Sequence, residues 1–424
     1  MRIDHLTITN FNGFESRTFD FNPSFNLLVG DNASGKSSVL DALGVAVGSW
    51  FLGLRGFEAS PGITAEEVRV SAHRHLDSYT FEKQFPSRIE CSGLVMGKRI
   101  GWARELQREG GRTTTVDAKA IGEVASESER CVRAGEKITL PLICTYGTER
   151  LWYQTSHHKP KSGANRAERM PSRLDGYRDS IKYEIQETAL LEWMRDQSTV
   201  SLQFDKDTIA LGVVKRAIAA CVEGAKAVYY DGRYKDLVAV MEPYGPQLFK
   251  NLSDGQRIML SLVGDLARRA SILNPHLGDD TLRNTPGVVL VDELDLHLHP
   301  KWQRRVIHDL KATFPSLQFI TTTHSPQLIG EALPDEITLL DGGQVAKPPR
   351  SFGIDSSRIL EEVMGASPRD PSVGDALTRL FRSIDDENFD MARTLLSEVE
   401  RTLGPDDPEV TRARALMAFL ESKV

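Results

Sequence analysis

The 424-residue chain is 40 % hydrophobic and 26 % charged, with a net charge of −7; this is ordinary globular composition at a length that suits two or three units. The acidic balance argues against a generally basic nucleic-acid coat, although a local patch could still bind nucleic acid. Four scattered cysteines (Cys91, Cys131, Cys144, Cys221) without a CxxC pair, no run of about 18 apolar residues and no signal-peptide core after Met1 lead to the expectation of a reducing, cytoplasmic setting away from membranes.

Ile3 to Ile8 and Thr18 to Phe21 read as strands on either side of the turn Phe11-Asn12-Gly13-Phe14. Phe25 to Val29 reads as a buried strand. It runs into Gly30-Asp31-Asn32-Ala33-Ser34-Gly35-Lys36-Ser37, which fits the phosphate-binding pattern GxxxxGK[ST] without a mismatch. Ser37-Ser38 then opens a helically spaced run to Leu43. Glycines in such a loop let backbone N–H groups turn toward phosphate oxygens, and the following helix N-terminus adds partial positive charge. Lys36 is expected to reach the β- and γ-phosphates of ATP, and the Ser37 hydroxyl to ligate Mg2+.

Residues 50 to about 140 are weakly patterned. Ser87 to Val95 and Lys98 to Trp102 read as strand, turn, strand, and no more than a β-rich stretch is expected. Arg104, Arg108 and Arg112 read as a solvated face. Leu140 to Thr145 is another buried-strand candidate, leading into Tyr146-Gly147-Thr148-Glu149-Arg150-Leu151-Trp152. His157 to Arg178 is polar and basic, with Pro160, Gly163, Pro171 and Gly176 breaking regular structure. It is either a mobile loop that meets nucleic acid or an acidic partner, or a solvated surface loop. Helices are expected over Tyr183 to Met194, burying Ile185, Leu190, Leu191 and Met194, and over Thr208 to Glu223. Val228 to Asp231 then reads as a strand, with Val238 to Val240 as its partner.

Leu252-Ser253-Asp254-Gly255-Gln256-Arg257 reads as a polar turn opening a helix that continues to Ala270. Taken alone, Ser253 or Asp254 is an ordinary helix cap. Val288 to Val291 is an apolar strand ending in Asp292-Glu293, and the carboxyl end of a strand is where α/β sites are built. Asp292 is expected to hold Mg2+ and Glu293 to polarise an attacking water as general base. His297, His299 and Trp302 read as packing and interface residues rather than metal ligands. Leu317 to Thr323 is a strand closed by His324-Ser325-Pro326, and Ile337 to Leu340 pairs with Gln344-Val345 across Asp341-Gly342-Gly343. The tail is helical, with stripes Leu377/Leu380/Phe381/Ile384, Met391/Leu395/Val399/Leu403 and Leu416/Phe419/Leu420.

These four motifs in this order resemble the Walker A, signature, Walker B and switch-histidine elements of an ABC-type ATPase head. The implied fold is α/β, an ABC-type P-loop ATPase head with a flanking antiparallel sheet, a helical lobe and a C-terminal helical appendage. The implied boundaries are 1–150 and 246–348 for the two halves of the head, 151–245 for the helical lobe and 349–424 for the appendage. The resemblance implies an ATP site built from Gly30, Asp31, Asn32, Ala33, Ser34, Gly35, Lys36, Ser37 and Ser38, with Ser37 and Asp292 on Mg2+ and Glu293 and His324 beside the γ-phosphate. It also implies that Ser253, Gly255 and Gln256 close over the ATP of a second copy in a head-to-head dimer. Asp254 departs from the family pattern, where glycine is commoner, and stands near the incoming phosphate. Asp295 falls at the D-loop, and Gln154 is the nearest glutamine for a Q-loop.

Without a membrane segment or a long heptad run, the chain resembles the compact RecF/SMC-like group, which includes OLD-type ATPases. Tyr146 to Trp152, His299-Pro300-Lys301-Trp302-Gln303, Thr322-Thr323-His324-Ser325-Pro326 and Phe352-Gly353-Ile354-Asp355 are similar to the PtuA ATPases of Septu and retron-associated anti-phage systems. That similarity implies an ATPase subunit working with a separate HNH-type nuclease. No acidic cluster after residue 345 reads as a TOPRIM nuclease, so nuclease activity is not expected in this chain. The alternative is a RecF/SMC-like repair ATPase that binds DNA itself; DNA or RNA is a possible partner under either reading.

Overall fold

The apolar strand before the phosphate-pattern loop lies inside the largest sheet, and the rest of the head is built outward from it. The computed structural model describes residues 1–57, 62–148, 170–183, 187–342 and 344–421. The described chain forms two compact units, Met1–Ile354 and Asp355–Val424.

In the first unit, β1 (Arg2–Phe11) and β2 (Phe14–Asp20) form a hairpin, and β3 (Phe25–Gly30) feeds α1 (Lys36–Gly48) through the Gly-rich loop. A small exposed hairpin, β4 (Val70–His75) and β5 (Ser78–Lys83), precedes a larger one, β6 (Ser87–Val95) and β7 (Lys98–Leu106). Helix α2 (Lys119–Arg133) leads to β8 (Leu142–Tyr146). Next come α3 (Glu187–Phe204), α4 (Ile209–Cys221) and a meander of β9 (Ala225–Asp231), β10 (Asp236–Met241) and β11 (Gly245–Leu248). The long α5 (Asp254–Leu273) and one-turn α6 (Thr281–Asn284) precede β12 (Gly287–Val291). The unit finishes with α7 (Pro300–Thr313), β13 (Leu317–Thr323), one-turn α8 (Pro326–Ile329), β14 (Ile337–Asp341) and β15 (Gln344–Ala346).

The main sheet has six strands in the order β15-β14-β3-β13-β12-β8. All of its pairings are parallel except that of the edge strand β15. Every residue of β8, β12 and β13 is buried. Such runs belong to strands covered on both faces, so burial is continuous rather than alternating and includes the polar Gln318 and Thr321, Thr322 and Thr323 of β13. A four-stranded antiparallel sheet, β2-β1-β6-β7, accompanies this core. The two sheets are joined through Gln318, whose side chain donates to Ile3 O at 2.7 Å and accepts from Ile3 N at 2.8 Å. Among the described residues no helix is long and apolar enough to cross a membrane.

Two expectations fail between residues 50 and 140. The stretch holds α2 as well as strands. Its buried side is thin and partly polar (Ile121, Ala125, Ser128 and Glu129), so the periodicity is faint. Glu129 is buried because its carboxylate accepts from the Arg55 amide at 2.9 Å and is paired with Arg133. Arg104 is not on a solvated face either: it is 3 % exposed, its Nε donates to Thr114 O at 3.0 Å, and burial pushes its pKa down.

The second unit contains α9 (Ser356–Glu362), α10 (Pro371–Asp385), α11 (Phe389–Leu403) and α12 (Pro408–Glu421). Leu377, Leu380 and Ile384 of α10 meet Ala392, Leu395, Leu396 and Val399 of α11 and Val410, Ala413 and Met417 of α12. On α12 the expected Leu416 and Leu420 pack against this core, but they are not its centre. Val410, Ala413 and Met417 lie inside, whereas Phe419 is 54 % exposed; on α11, Met391 is 52 % exposed and Ala392 takes the inner position. Small alanines inside let the helices approach, and the larger residues are displaced outward. Leu380 is fully buried in this core. Leu380→Ala should destabilise this unit by about 2–5 kcal/mol, measured by urea denaturation; an unchanged midpoint would contradict the packing described.

Candidate active site

The loop from Asp31 to Gly35 is shaped by its glycines. A Cβ on Gly30 would stand 2.3 Å from Leu340 O of the neighbouring strand, so no side chain fits there. Gly35 has φ +97 and faces the Phe14 ring, a backbone region that favours glycine. Ala33 also has positive φ. Helix α1 starts with no described side chain capping it and no acidic residue in its first turn. Its first amides therefore suit an anion. Asp31, Asn32, Ala33 and Ser37 are exposed, and Ser34, Gly35 and Ser38 are partly buried. Lys36 is 7 % exposed, and its Nζ donates to Gly30 O at 2.9 Å and Asp31 O at 2.8 Å. Burial pushes its pKa down, against the opposing pull of Asp292, Glu293 and Asp31.

Parallel pairing sets the other groups beside this loop. Val29 pairs with Thr323, and Thr321 with Val291, so β3, β13 and β12 end together. Ser37 Oγ donates to Asp292 Oδ2 at 3.3 Å. Residues 255 positions apart in numbering are thus drawn to one point by three strand ends, and Lys36, Ser37, Asp292 and Glu293 are gathered there.

Sequence reasoning missed the residue that holds the carboxylates. Thr322 Oγ1 donates to Asp292 Oδ1 at 2.6 Å and accepts from the Glu293 amide, also at 2.6 Å. Thr322 O accepts from the Leu294 amide at 3.0 Å. These bonds fix Glu293 at φ 49, a left-handed conformation that costs a non-glycine residue roughly 1–3 kcal/mol. Next to it, Thr323 Oγ1 donates to Asp295 Oδ1 at 2.5 Å. The available signal was a run of three threonines ending a strand that opens Leu317-Gln318-Phe319-Ile320; a buried hydroxyl there needs a partner.

His324 follows β13 and is partly buried. Ser325 Oγ donates to Gln303 Oε1 at 2.7 Å, and Gln303 Nε2 donates to Leu298 O at 2.9 Å. The turn after β13 is thereby tied to the segment after Glu293. His299 caps α7, its Nδ1 accepting from the Lys301 amide at 3.3 Å.

Ser253 and Asp254 are exposed at the start of α5. Ser253 Oγ accepts from Gln256 N at 3.4 Å, and Gln256 Oε1 accepts from Ser253 N at 3.0 Å, forming a capping box. Accepting uses an oxygen lone pair, so the Ser253 hydroxyl proton is not consumed by the cap. Gly255 is not bare backbone toward solvent. It is buried, and a Cβ there would meet His297 O at 2.6 Å and the Trp302 ring at 3.6 Å. The sequence thus assigned to ligand contact a glycine that close packing against the segment after Glu293 also requires.

Gln154 and most of the basic stretch, residues 157–169, lie outside the described residues. The described cations of that stretch are structural. Arg173 donates to Leu273 O at 2.8 Å, Glu136 O at 3.0 Å and Ile138 O at 2.5 Å, and Arg178 pairs with Asp175 at 3.0 Å.

A parallel sheet whose strand ends gather a Gly-rich phosphate loop and an Asp-Glu pair, with a capped Ser-Asp-Gly-Gln helix start nearby in the fold, defines an ABC-type P-loop ATPase head. An AAA-domain family model matches residues 5–206, and a second AAA-domain model, whose description adds AbiEii toxin and type IV TA system, matches 240–330. The chain is 26 % identical to the Retron Ec83 probable ATPase of Escherichia coli, over 96 % of this chain and 85 % of that one. It is 30 % identical to the Septu protein PtuA of Bacillus thuringiensis, over 39 % of this chain and 44 % of that one. Among solved structures, the SMC head domain from Thermotoga maritima aligns with TM-score 0.42 and 16 % identity, over 82 % of this chain and 98 % of that one. The chain is an ABC-type ATPase related to PtuA and to the retron ATPases.

Thr322→Val keeps the shape and removes the hydroxyl, leaving the Asp292 carboxylate and the Glu293 amide each short of one partner. The expected cost is about 1–3 kcal/mol, read as a lower urea midpoint; wild-type stability in this variant would show that Thr322 does not hold the pair.

Proposed function

We propose that the chain binds ATP at the Gly30–Ser38 loop and hydrolyses it in a site completed by Ser253 of a second copy, and that this cycle controls a separate HNH-type nuclease in an anti-phage defence complex. The observation that carries the ATP part is the meeting of Ser37 and Asp292 at 3.3 Å beside Lys36. The nuclease part is supported only by the relatedness to retron and Septu proteins.

A hydroxyl and a carboxylate oxygen side by side fit Mg2+, a hard cation that prefers oxygen ligands. Ser37 and Asp292 would hold it, and its charge neutralises phosphate oxygens when bound. The loop amides and the uncapped start of α1 bind and orient the phosphates. Lys36 exchanges its contacts with the Gly30 and Asp31 carbonyls for phosphate oxygens. Glu293, held by Thr322, takes the proton from the attacking water. His324 lies at the end of the strand that carries Thr322 and donates toward the γ-phosphate. Ser253, presented by the other copy, supplies its hydroxyl proton to the same phosphate, and the start of α5 contributes partial positive charge. Asp254 works against this attraction.

Two substitutions test the chemistry. Glu293→Gln should retain ATP binding and lower kcat roughly 100-fold or more, the scale of a lost general base. Lys36→Ala should weaken nucleotide binding severely; unchanged ATP affinity in that variant would sink the site assignment. For the partner, affinity purification of the chain from its native cells should recover a near-stoichiometric small nuclease. Recovery of the chain alone, with ATP hydrolysis accelerated by DNA, would instead favour a repair-type ATPase that binds DNA directly.

A further inference from the structure

Tyr146, the last residue of β8, makes bonds in two directions. Its carbonyl accepts from the Asp292 amide at 2.8 Å. Its hydroxyl donates to Asp265 Oδ2 at 2.9 Å, and Asp265 lies on α5, about three turns beyond Ser253. Both ends are buried, Tyr146 being 3 % and Asp265 1 % exposed. One residue thus bonds directly to the carboxylate strand end and to the helix that begins at Ser253.

The helix end of this link is stiff. Arg268 donates to Asp265 Oδ1 at 2.5 Å and Arg269 to Oδ2 at 2.7 Å. Burial opposes ionisation of Asp265, but Arg269 and Arg268 outweigh it and hold the carboxyl well below the usual range. Arg269 also donates to Gly176 O at 2.9 Å and Arg178 O at 2.6 Å. Separating a buried ion pair is costly, so α5 carries Asp265 and its partners as one body.

The next residue extends the link to the phosphate-loop helix. Gly147 N donates to Tyr183 O at 2.8 Å, and Tyr183 OH donates to Asp41 Oδ1 of α1 at 2.7 Å. A Cβ on Gly147 would stand 2.8 Å from that of Tyr183, so the contact is close. Two consecutive residues therefore touch α5, the carboxylate strand end and, through Tyr183, the helix that begins at Lys36.

We propose that Tyr146 is a positioning residue that couples α5 to Asp292, so that engagement of Ser253 by a second copy's nucleotide adjusts the hydrolytic centre of the chain that carries it. This rests on the ATPase reading above and names how its two half-sites communicate. A purely structural Tyr146 would only anchor α5. The difference lies in whether the phenol is felt in turnover and in the response of α5 to nucleotide.

The test uses the full chain, with Tyr146→Phe, which removes only the hydroxyl, and Glu293→Gln as the control for hydrolysis. In Tyr146→Phe, KM for ATP should stay within about twofold while kcat falls roughly tenfold, the scale of one charge-assisted hydrogen bond lost from the transition state. Unchanged kcat with a lowered Tm would overturn the proposal. Hydrogen exchange gives a readout that needs neither this variant nor turnover. In Glu293→Gln, ATP should slow exchange at the Asp292 amide and in α5 around Asp265 together. Slowing in the phosphate loop and at Asp292 but not in α5 would also overturn the proposal, even with ATP binding established. Failure of the ATPase reading is recognised separately, by wild-type phosphate release that Glu293→Gln does not reduce.

Discussion

Parallel register is the constraint on which the rest of the head depends. β3, β13 and β12 lie side by side, and the pairs Val29–Thr323 and Thr321–Val291 make them end at one level. The segments at this one edge then bring Lys36, Ser37, Thr322, Asp292 and Glu293 to the same place. A slip of one residue in any of these strands would turn its side chains to the opposite face and part Ser37 from Asp292. Burial on both faces holds the register, since every residue of β12 and β13 is inside.

Around this edge the chain gives up local comfort for position. Glu293 and His297 sit at positive φ, and Lys36 is drawn into a buried place that lowers its pKa. Strain in such places is held by surrounding bonds, and the holders here can be named. Thr322 clamps both carboxylate residues from the neighbouring strand, Thr323 fixes Asp295, and Gln303 and Ser325 tie the following turns together. The threonine run is therefore a scaffold for the acidic pair. The start of α5 differs: Ser253 and Gln256 satisfy each other, and Gly255 is packed against His297. That end of the molecule is pre-formed, which suits the proposed docking onto a second copy.

Much of this was legible because some chemistry needs fixed residue types at fixed spacing. The GxxxxGK[ST] loop, the apolar strand ending in Asp292-Glu293 and the strand ending at His324 are local patterns, and each lies on the element its sequence suggested. What stayed hidden is non-local. Thr322 could be seen at a strand end but not as the partner of a residue thirty positions away. Arg104 read as surface because its Thr114 carbonyl partner comes from a loop that carries no pattern. Helix α2 buries Glu129, so its stripe does not stand out. In the tail, alanines at close helix contacts set the phase, and the larger Met391 and Phe419 pointed to the wrong face.

If hydrolysis occurs in a site shared between two copies, two inactive chains, Lys36→Ala and Ser253→Arg, should complement each other when mixed and assayed for phosphate release. In a mixed pair, the Ser253→Arg chain contributes an intact phosphate loop with Asp292 and Glu293, and the Lys36→Ala chain contributes an intact Ser253. Each variant alone should be inactive, and mixing should restore a substantial fraction of wild-type turnover. Full activity of Ser253→Arg alone, or no recovery on mixing chains that demonstrably associate, would mean that the site is not shared.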